Sequence, residues 1–127
     1  MNLEHVAINV PDPVAMSDWY VEHCGLQEVI RLEVPPYTRF LTDNRRKTAI
    51  EIYFNPDAPV PDYKSQSHLV YHNAFTTNDV DATRHKLMEA GASLVEDINL
   101  PNGTRLVMLR DPWGVPLQLV NRVNPWY

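Results

Sequence analysis

The sequence contains a single cysteine, Cys24, among its 127 residues. One cysteine excludes an internal disulfide framework and the paired-cysteine spacing of a structural zinc site, and it is typical of a reducing compartment. No stretch of about 18 apolar residues occurs, so we expect no membrane-spanning segment. The first ten residues lack the basic flank and long apolar stretch of a signal peptide. These absences predict a cytoplasmic protein with no membrane partner.

A concentrated positive charge is also missing. The formal net charge is −5, and the only basic run, Arg45-Arg46-Lys47, lies between two strand-like segments. Nucleic-acid binding needs a broad Lys/Arg surface, so we expect no nucleic-acid partner and interpret the run as a solvated loop. The composition, 44% hydrophobic and 21% charged residues, is that of a globular protein. A length of 127 residues predicts one domain, residues 1–127.

Two modules within this domain show the same order of predicted elements. In the first module, about residues 1–55, a helix over 14–24 lies among strand patterns at 3–10, 28–34, 38–42 and 48–54. A polar, proline-rich connector covers residues 56–67. In the second module, about residues 68–127, a helix over 79–90 lies among strand patterns at 68–77, 94–96, 104–109 and 116–121. The fold class is therefore α+β, with two tandem βαβββ modules.

A fixed offset of 67 residues supports this repeat. The offset aligns His5 with His72, Asp12 with Asp79, and Glu51 with Gln118. The spacing within each module is also the same, because 51 − 5 = 46 and 118 − 72 = 46. Chance aligns one histidine pair easily, but not three chemically related pairs within the same predicted elements.

The paired polar residues predict a metal site. Alternation along a strand puts His5 and Glu51 on the face opposite their apolar neighbours, and the offset places His72 and Gln118 likewise. Two curved sheets related by a pseudo-twofold axis would bring all four toward one cavity. Imidazole, carboxylate and amide ligands suit a divalent ion such as Zn²⁺, Ni²⁺, Fe²⁺ or Mn²⁺.

A purely structural alternative exists for each of these residues. The histidines would then be hydrogen-bonded strand residues, and Glu51 would pair with an arginine such as Arg39 or Arg105. Gln118 would be a polar residue that faces a cavity without binding a metal, since amides are weak ligands.

Two segments carry a resemblance to a known family. Residues 3–10, with the sequence LEHVAINV, and residues 111–118, with the sequence DPWGVPLQ, resemble the vicinal oxygen chelate superfamily. This superfamily includes glyoxalase I, fosfomycin- and bleomycin-resistance proteins, methylmalonyl-CoA epimerase and extradiol dioxygenases. The resemblance implies paired βαβββ modules that form a cup around a metal ion, to which substrates bind through adjacent oxygen atoms.

The nearest functional pattern is that of glyoxalase I, the lactoylglutathione lyase. In that pattern a His or Gln, a Glu, a His and a Glu hold the metal, so Gln118 departs from it at the last place. Since an amide is no base at neutral pH, the resemblance implies that Glu51 is the catalytic residue that moves the proton. We expect a metal-dependent lyase or isomerase that acts on a small oxygen-chelating metabolite.

Two other functions stay open. A mononuclear non-haem iron dioxygenase would use the two histidines and Glu51 as its ligands. A resistance-type protein would bind a drug or similar ligand without catalysis. The resemblance also implies a homodimer, to which the terminal Trp126-Tyr127 pair would contribute.

Overall fold

The computed structural model describes residues 1–126 and contains two helices and eight strands within them. The first module consists of β1 (His5–Asn9), α1 (Pro13–Cys24), β2 (Gln27–Arg31), β3 (Arg39–Thr42) and β4 (Ala49–Tyr53). The second consists of β5 (Asn73–Thr76), α2 (Val80–Glu89), β6 (Ser93–Asn99), β7 (Arg105–Arg110) and β8 (Pro116–Asn121). The α+β class and the repeated βαβββ order are thereby confirmed. No helix in this part of the chain is long and apolar enough to cross a membrane.

The chain forms two compact units, with the border after Pro61, inside the predicted connector 56–67. The sheet of the first unit has the strand order β1-β4-β3-β2, and that of the second has the order β5-β8-β7-β6. In each sheet the first strand of the module runs parallel to its last strand, and all other pairs are antiparallel. The two sheets are therefore mixed in the same way.

Side-chain caps explain where the helices begin. Asp12 Oδ1 accepts a hydrogen bond from the backbone N–H of Ala15 at 3.0 Å, and Asp79 Oδ1 accepts one from Ala82 at 2.9 Å. These bonds satisfy N–H groups that have no partner inside a helix. Gly25 ends α1 in the left-handed conformation with φ of 71°, as its position in the sequence predicts.

The helix in each unit covers one face of its sheet. In the first unit the buried apolar side chains are those of Ile8, Val10, Met16, Trp19, Tyr20, Leu26, Leu41 and Ile52. In the second unit they include Val80, Leu87, Val107, Leu109, Leu117 and Leu119. Each such side chain stabilises the fold by about 1.5–3 kcal/mol relative to exposure. The polar residues between them on the strands consequently lie on the other face.

Two predicted strand boundaries in the second module are wrong. The strand predicted over 68–77 begins only at Asn73, because residues 67–70 form a turn in which Val70 N–H donates to Ser67 O at 3.1 Å. The strand predicted over 94–96 extends over Ser93–Asn99. The polar residues after Glu96 continue the strand: Asp97 pairs with Val107 on β7, and its carboxylate is held by two arginines.

The turn before β8 gives a prediction about stability. Gly114 has φ of +91°, and a Cβ placed there would lie 2.9 Å from the backbone nitrogen of Lys64. Gly25 has a similar φ of +71°, but nothing lies within 4 Å of its would-be Cβ. Gly114→Ala should therefore lower the free energy of unfolding by about 3 kcal/mol, and Gly25→Ala by only about 1 kcal/mol.

Denaturant unfolding of the two variants measures this difference. Equal losses for Gly25→Ala and Gly114→Ala would show that backbone conformation alone matters and that the approach of Lys64 does not.

An ion network between α2 and the second sheet gives a pH-dependent prediction. Arg105 donates to Asp81 at 2.7 Å and to Asp97 at 2.8 Å. Its hydrogen bonds hold the pKa of both carboxyls below the ordinary value of 3.8. A lowered pKa stabilises the fold at pH above 3.8, and this contribution disappears as the pH falls through the folded-state value.

Asp81→Asn should accordingly lower the melting temperature at pH 7, and the difference from the unmodified protein should shrink as the pH falls below 4. Glu89→Gln removes a similarly exposed carboxylate of the same helix, 69% against 62% exposed, and should change little. Thermal unfolding over a pH series is the measurement. A deficit in Asp81→Asn that persists undiminished in acid contradicts the expectation.

Candidate functional site

His5 and Glu51 lie side by side on the face of the first sheet that α1 does not cover, called here the open face. β1 runs parallel to β4 with Ala7 opposite Glu51. Because His5 precedes Ala7 by two residues, its side chain points to the same face as Glu51. Nε2 of His5 is 3.2 Å from Oε2 of Glu51. The structure thus brings together the two site residues predicted in the first module.

A second carboxylate holds the other ring nitrogen of His5. Nδ1 donates a hydrogen bond to the side chain of Glu4. This bond is the main reason that the pKa of His5 is raised; desolvation opposes it, and the weaker effects of the Glu4 and Glu51 charges act in its direction. With the Nδ1 proton committed to Glu4, Nε2 is the atom that takes up either a second proton or a metal ion.

An aromatic ring borders this pair. Phe40 on β3 lies opposite Glu51 in the register of β3 and β4, so it shares the open face. Its ring meets the imidazole of His5 edge to face, with centroids 5.3 Å apart and planes at 77°. Phe40 therefore limits the rotation of the imidazole and removes water from one side of it.

The His5–Glu51 distance fits a shared metal ion. Two ligand atoms about 2.1 Å from one ion, at angles between 90° and 109°, lie about 3.0–3.4 Å apart. The observed 3.2 Å falls in this interval. Within residues 1–126, no group of three or more His, Cys, Asp or Glu side chains is close enough to hold an ion. The structure thus shows two converging donors in the first unit, and the other two predicted ligands belong to the second.

The second unit repeats the register of the first. Gln118 on β8 lies opposite Ala74 on β5, as Glu51 lies opposite Ala7, and both pairs are related by the offset of 67. His72 lies one residue before β5 and is exposed. Its Nδ1 is 3.2 Å from the backbone oxygen of His68. Since a carbonyl only accepts, Nδ1 is the donor, which leaves Nε2 as the ring atom that can bind a ligand.

Neither arginine considered as a partner of Glu51 fills that role. Arg39 lies 3.3 Å from Glu28 and is almost fully buried, and Arg105 is held by the carboxylates of the α2 network. The basic residue next to Glu51 is His5. Glu51 is therefore paired with His5 in this structure, whereas Arg39 and Arg105 are paired with other carboxylates.

No sequence pattern indicates a role for Glu4 or Phe40, although both contact His5. Alternation puts Glu4 on the opposite face from His5, but β1 begins only at His5, so the strand rule does not apply to Glu4. Phe40 follows from the register of β3 with β4, which no local pattern specifies.

A third residue that no sequence pattern indicates, Glu96, lies in the second unit. Glu96 is opposite Met108, which is in turn opposite Gln118, so all three share one face of the sheet. Its carboxylate is 3.6 Å from Nε2 of His68. A bulge between positions 94 and 96 interrupts the alternation from which its orientation could have been read.

Comparison with known proteins agrees with this architecture. The sequence profile of the Glyoxalase/Bleomycin resistance protein/Dioxygenase superfamily matches residues 2–119. No functionally curated protein matches the chain.

Several solved structures have the same fold. One is a member of that superfamily from Sphaerobacter thermophilus, with 20% identity, a TM-score of 0.75 and coverage of 96% of this chain and 98% of that one. Another is a family enzyme from Burkholderia phytofirmans, with 23% identity, a TM-score of 0.76 and coverage of 95% and 98%. A third is TnmS3, an antibiotic binding protein from Streptomyces, with 22% identity, a TM-score of 0.71 and coverage of 94% and 93%.

At this level of identity, the solved structures show the fold alone. The profile covers most of the sequence, and the repeated βαβββ modules agree with it. The chain belongs to the glyoxalase/bleomycin resistance protein/dioxygenase superfamily.

Proposed function

We propose that the chain is a metal-dependent, glyoxalase-like lyase or isomerase that acts on a small metabolite with adjacent oxygen atoms. His5 and Glu51 are the proposed ligands of a divalent ion from the first unit, and His72 and Gln118, their equivalents in the repeat, are the proposed ligands from the second. The observation that carries the proposal is the 3.2 Å approach of Nε2 of His5 to the Glu51 carboxylate.

This approach needs a positive charge between the two side chains. When Nδ1 of His5 donates to Glu4, a neutral imidazole presents its Nε2 lone pair to the negatively charged oxygen of Glu51. The two electron-rich atoms repel each other unless a proton or a metal ion lies between them. A histidine held at one nitrogen by a carboxylate, with the other nitrogen facing a ligand oxygen, is the arrangement typical of metal-binding histidines.

Each residue then has a distinct role. A bound divalent ion supplies electrophilic stabilisation of negative charge on the substrate oxygens. Glu51 has a second carboxylate oxygen that can accept a substrate proton, whereas the amide of Gln118 cannot. Glu4 fixes the tautomer of His5, and Phe40 keeps water from one side of the imidazole.

Metal titration of the chelator-stripped protein tests the proposal. By calorimetry with Zn²⁺ or Ni²⁺, we expect one ion per chain. Glu51→Gln should lower the affinity by about 100-fold or more, because it removes a charged ligand, and Glu4→Gln should lower it by about 10-fold, because it weakens support of the ligand. His85→Ala removes a highly exposed histidine that pairs with Glu89, and it should leave the affinity unchanged.

The proposal fails if no stoichiometric binding occurs, or if His85→Ala weakens binding as much as His5→Ala does. Oxygen uptake distinguishes the iron dioxygenase alternative from the proposed lyase. The protein is loaded with Fe²⁺ under anaerobic conditions and then given oxygen and a catechol; a lyase consumes no oxygen.

A groove in the first unit favours a second candidate, binding of an aromatic drug-like molecule without catalysis. The groove has a volume of about 510 Å³, within the range of small-molecule sites, and is lined by Pro35, Pro36, Tyr37, Phe54, Asn55 and Pro56. Proline and aromatic side chains offer flat apolar surfaces suited to planar rings. One of the similar solved structures is an antibiotic binding protein.

A neutral planar probe, 2-naphthol, tests this candidate in the metal-free protein. Phe54→Ala should weaken its binding by about 10-fold, because an aromatic stacking surface is lost. Leu69→Ala, which truncates an exposed apolar side chain outside the groove, is the control. Equal affinities for Phe54→Ala and Leu69→Ala would rule out the groove as the binding site.

A further inference from the structure

A second groove of the first unit lies next to His5. Its volume is about 330 Å³, at the small end of the range for ligand sites. Val29, Ile30 and Phe40 form its apolar part, and Arg46 and Lys47 contribute its positive charges. Glu4 also lines it, and both Glu4 and Phe40 contact His5. The groove is therefore continuous with the surroundings of the His5–Glu51 pair.

The apolar part arises from an irregularity in β2. The pairing of β2 with β3 shifts between Glu28 and Ile30, so Val29 is a bulge residue. A bulge re-aims side chains that would otherwise alternate between the two faces. Val29 and Ile30, adjacent in sequence, both line the groove, and they are 43% and 47% exposed. Two neighbouring apolar side chains thus offer surface that a ligand can cover.

The three cations of the basic run have different environments. Arg45 donates to the carboxylate of Asp43 at 2.9 Å, so its charge is balanced, and it does not line the groove. Arg46 donates Nε and Nη2 to the uncharged side chain of Gln27, at 3.3 and 3.0 Å. Lys47 forms no ion pair within residues 1–126. Of the three cations in the run, the two that line the groove, Arg46 and Lys47, therefore have no carboxylate partner within residues 1–126.

Arg46 is held in place by a neutral group. Its backbone φ is 52°, in the left-handed region that is unfavourable for residues other than glycine. Two hydrogen bonds from its guanidinium to Gln27 fix the direction of the side chain. The second Nη remains available as a donor.

The negative charges of Glu4 and Glu51 limit the number of negative charges that a ligand of the groove can carry. Glu4 is engaged with His5 and Glu51 lies beyond it, so a ligand with two negative charges would meet repulsion at that end. A single carboxylate is balanced by Arg46 and Lys47 through charge-assisted hydrogen bonds. The apolar residues then accommodate the body of the molecule.

We propose that this groove binds a small organic monocarboxylate, with its carboxylate on Arg46 and Lys47 and its apolar body on Ile30 and Phe40. The acid would lie beside His5, and its role as the substrate rests on the proposed function. The binding itself does not require a metal ion.

Benzoate and its neutral counterpart benzamide are suitable probes, titrated by NMR into the chelator-stripped protein. Benzoate should bind at least about 10-fold more tightly than benzamide, with the largest shifts at Ile30 and Phe40. Lys47→Gln should weaken benzoate binding by about 5-fold or more. Arg45→Gln, which neutralises the adjacent cation outside the groove, should leave the affinity within about twofold.

Equal affinities for benzoate and benzamide overturn the proposal. So do equal losses in Arg45→Gln and Lys47→Gln, which would indicate general attraction to the basic run. Benzoate binding in a protein that takes up no metal ion would support the groove and contradict the proposed function. Metal binding without benzoate binding would do the reverse.

Discussion

The parallel pairing of the first and last strands in each module is the constraint on which the candidate site depends. β1 and β4 are paired so that Ile8 lies opposite Ile52, and both are buried on the helix side. Burial of this pair leaves the opposite face to the residues between, which are Ala7 and Glu51. A slip of one residue would expose the isoleucines and bury the carboxylate, so the hydrophobic core maintains the position of Glu51.

The same constraint acts in the second unit with different chemistry. Gln118 occupies the place of Glu51. Across the three antiparallel strands, the first sheet pairs Glu51, Phe40 and Ile30 in one row, and the second pairs Gln118, Met108 and Glu96, so Glu96 occupies the place of Ile30. The row of the second sheet therefore has its carboxylate on an edge strand, next to His68, instead of beside β5. The repeat conserves backbone register more closely than it conserves the location of charge.

Much of this architecture could be predicted because the sequence patterns that indicate it are local or repeat at a fixed spacing. The offset of 67 aligns Asp12 with Asp79, and the structure shows that both cap helices; the strand register shows the same equivalence for Glu51 and Gln118. Contacts set by bulges, or by residues just outside a strand, could not be predicted. His72 lies outside β5 because residues 67–70 form a turn and delay the start of the strand to Asn73. The residues around this turn do not indicate it strongly.

The asymmetry between Glu51 and Gln118 bears on how a proton would be moved. Two carboxylates at equivalent places would make the two sides of a substrate chemically alike, and either could act as base. With an amide at Gln118, only the first unit offers a carboxylate at this place, and Glu4 fixes the histidine beside it. The groove with Arg46 and Lys47 also belongs to the first unit. On the proposed function, proton acceptance by Glu51 and anion recognition by Arg46 and Lys47 would therefore both depend on the first module.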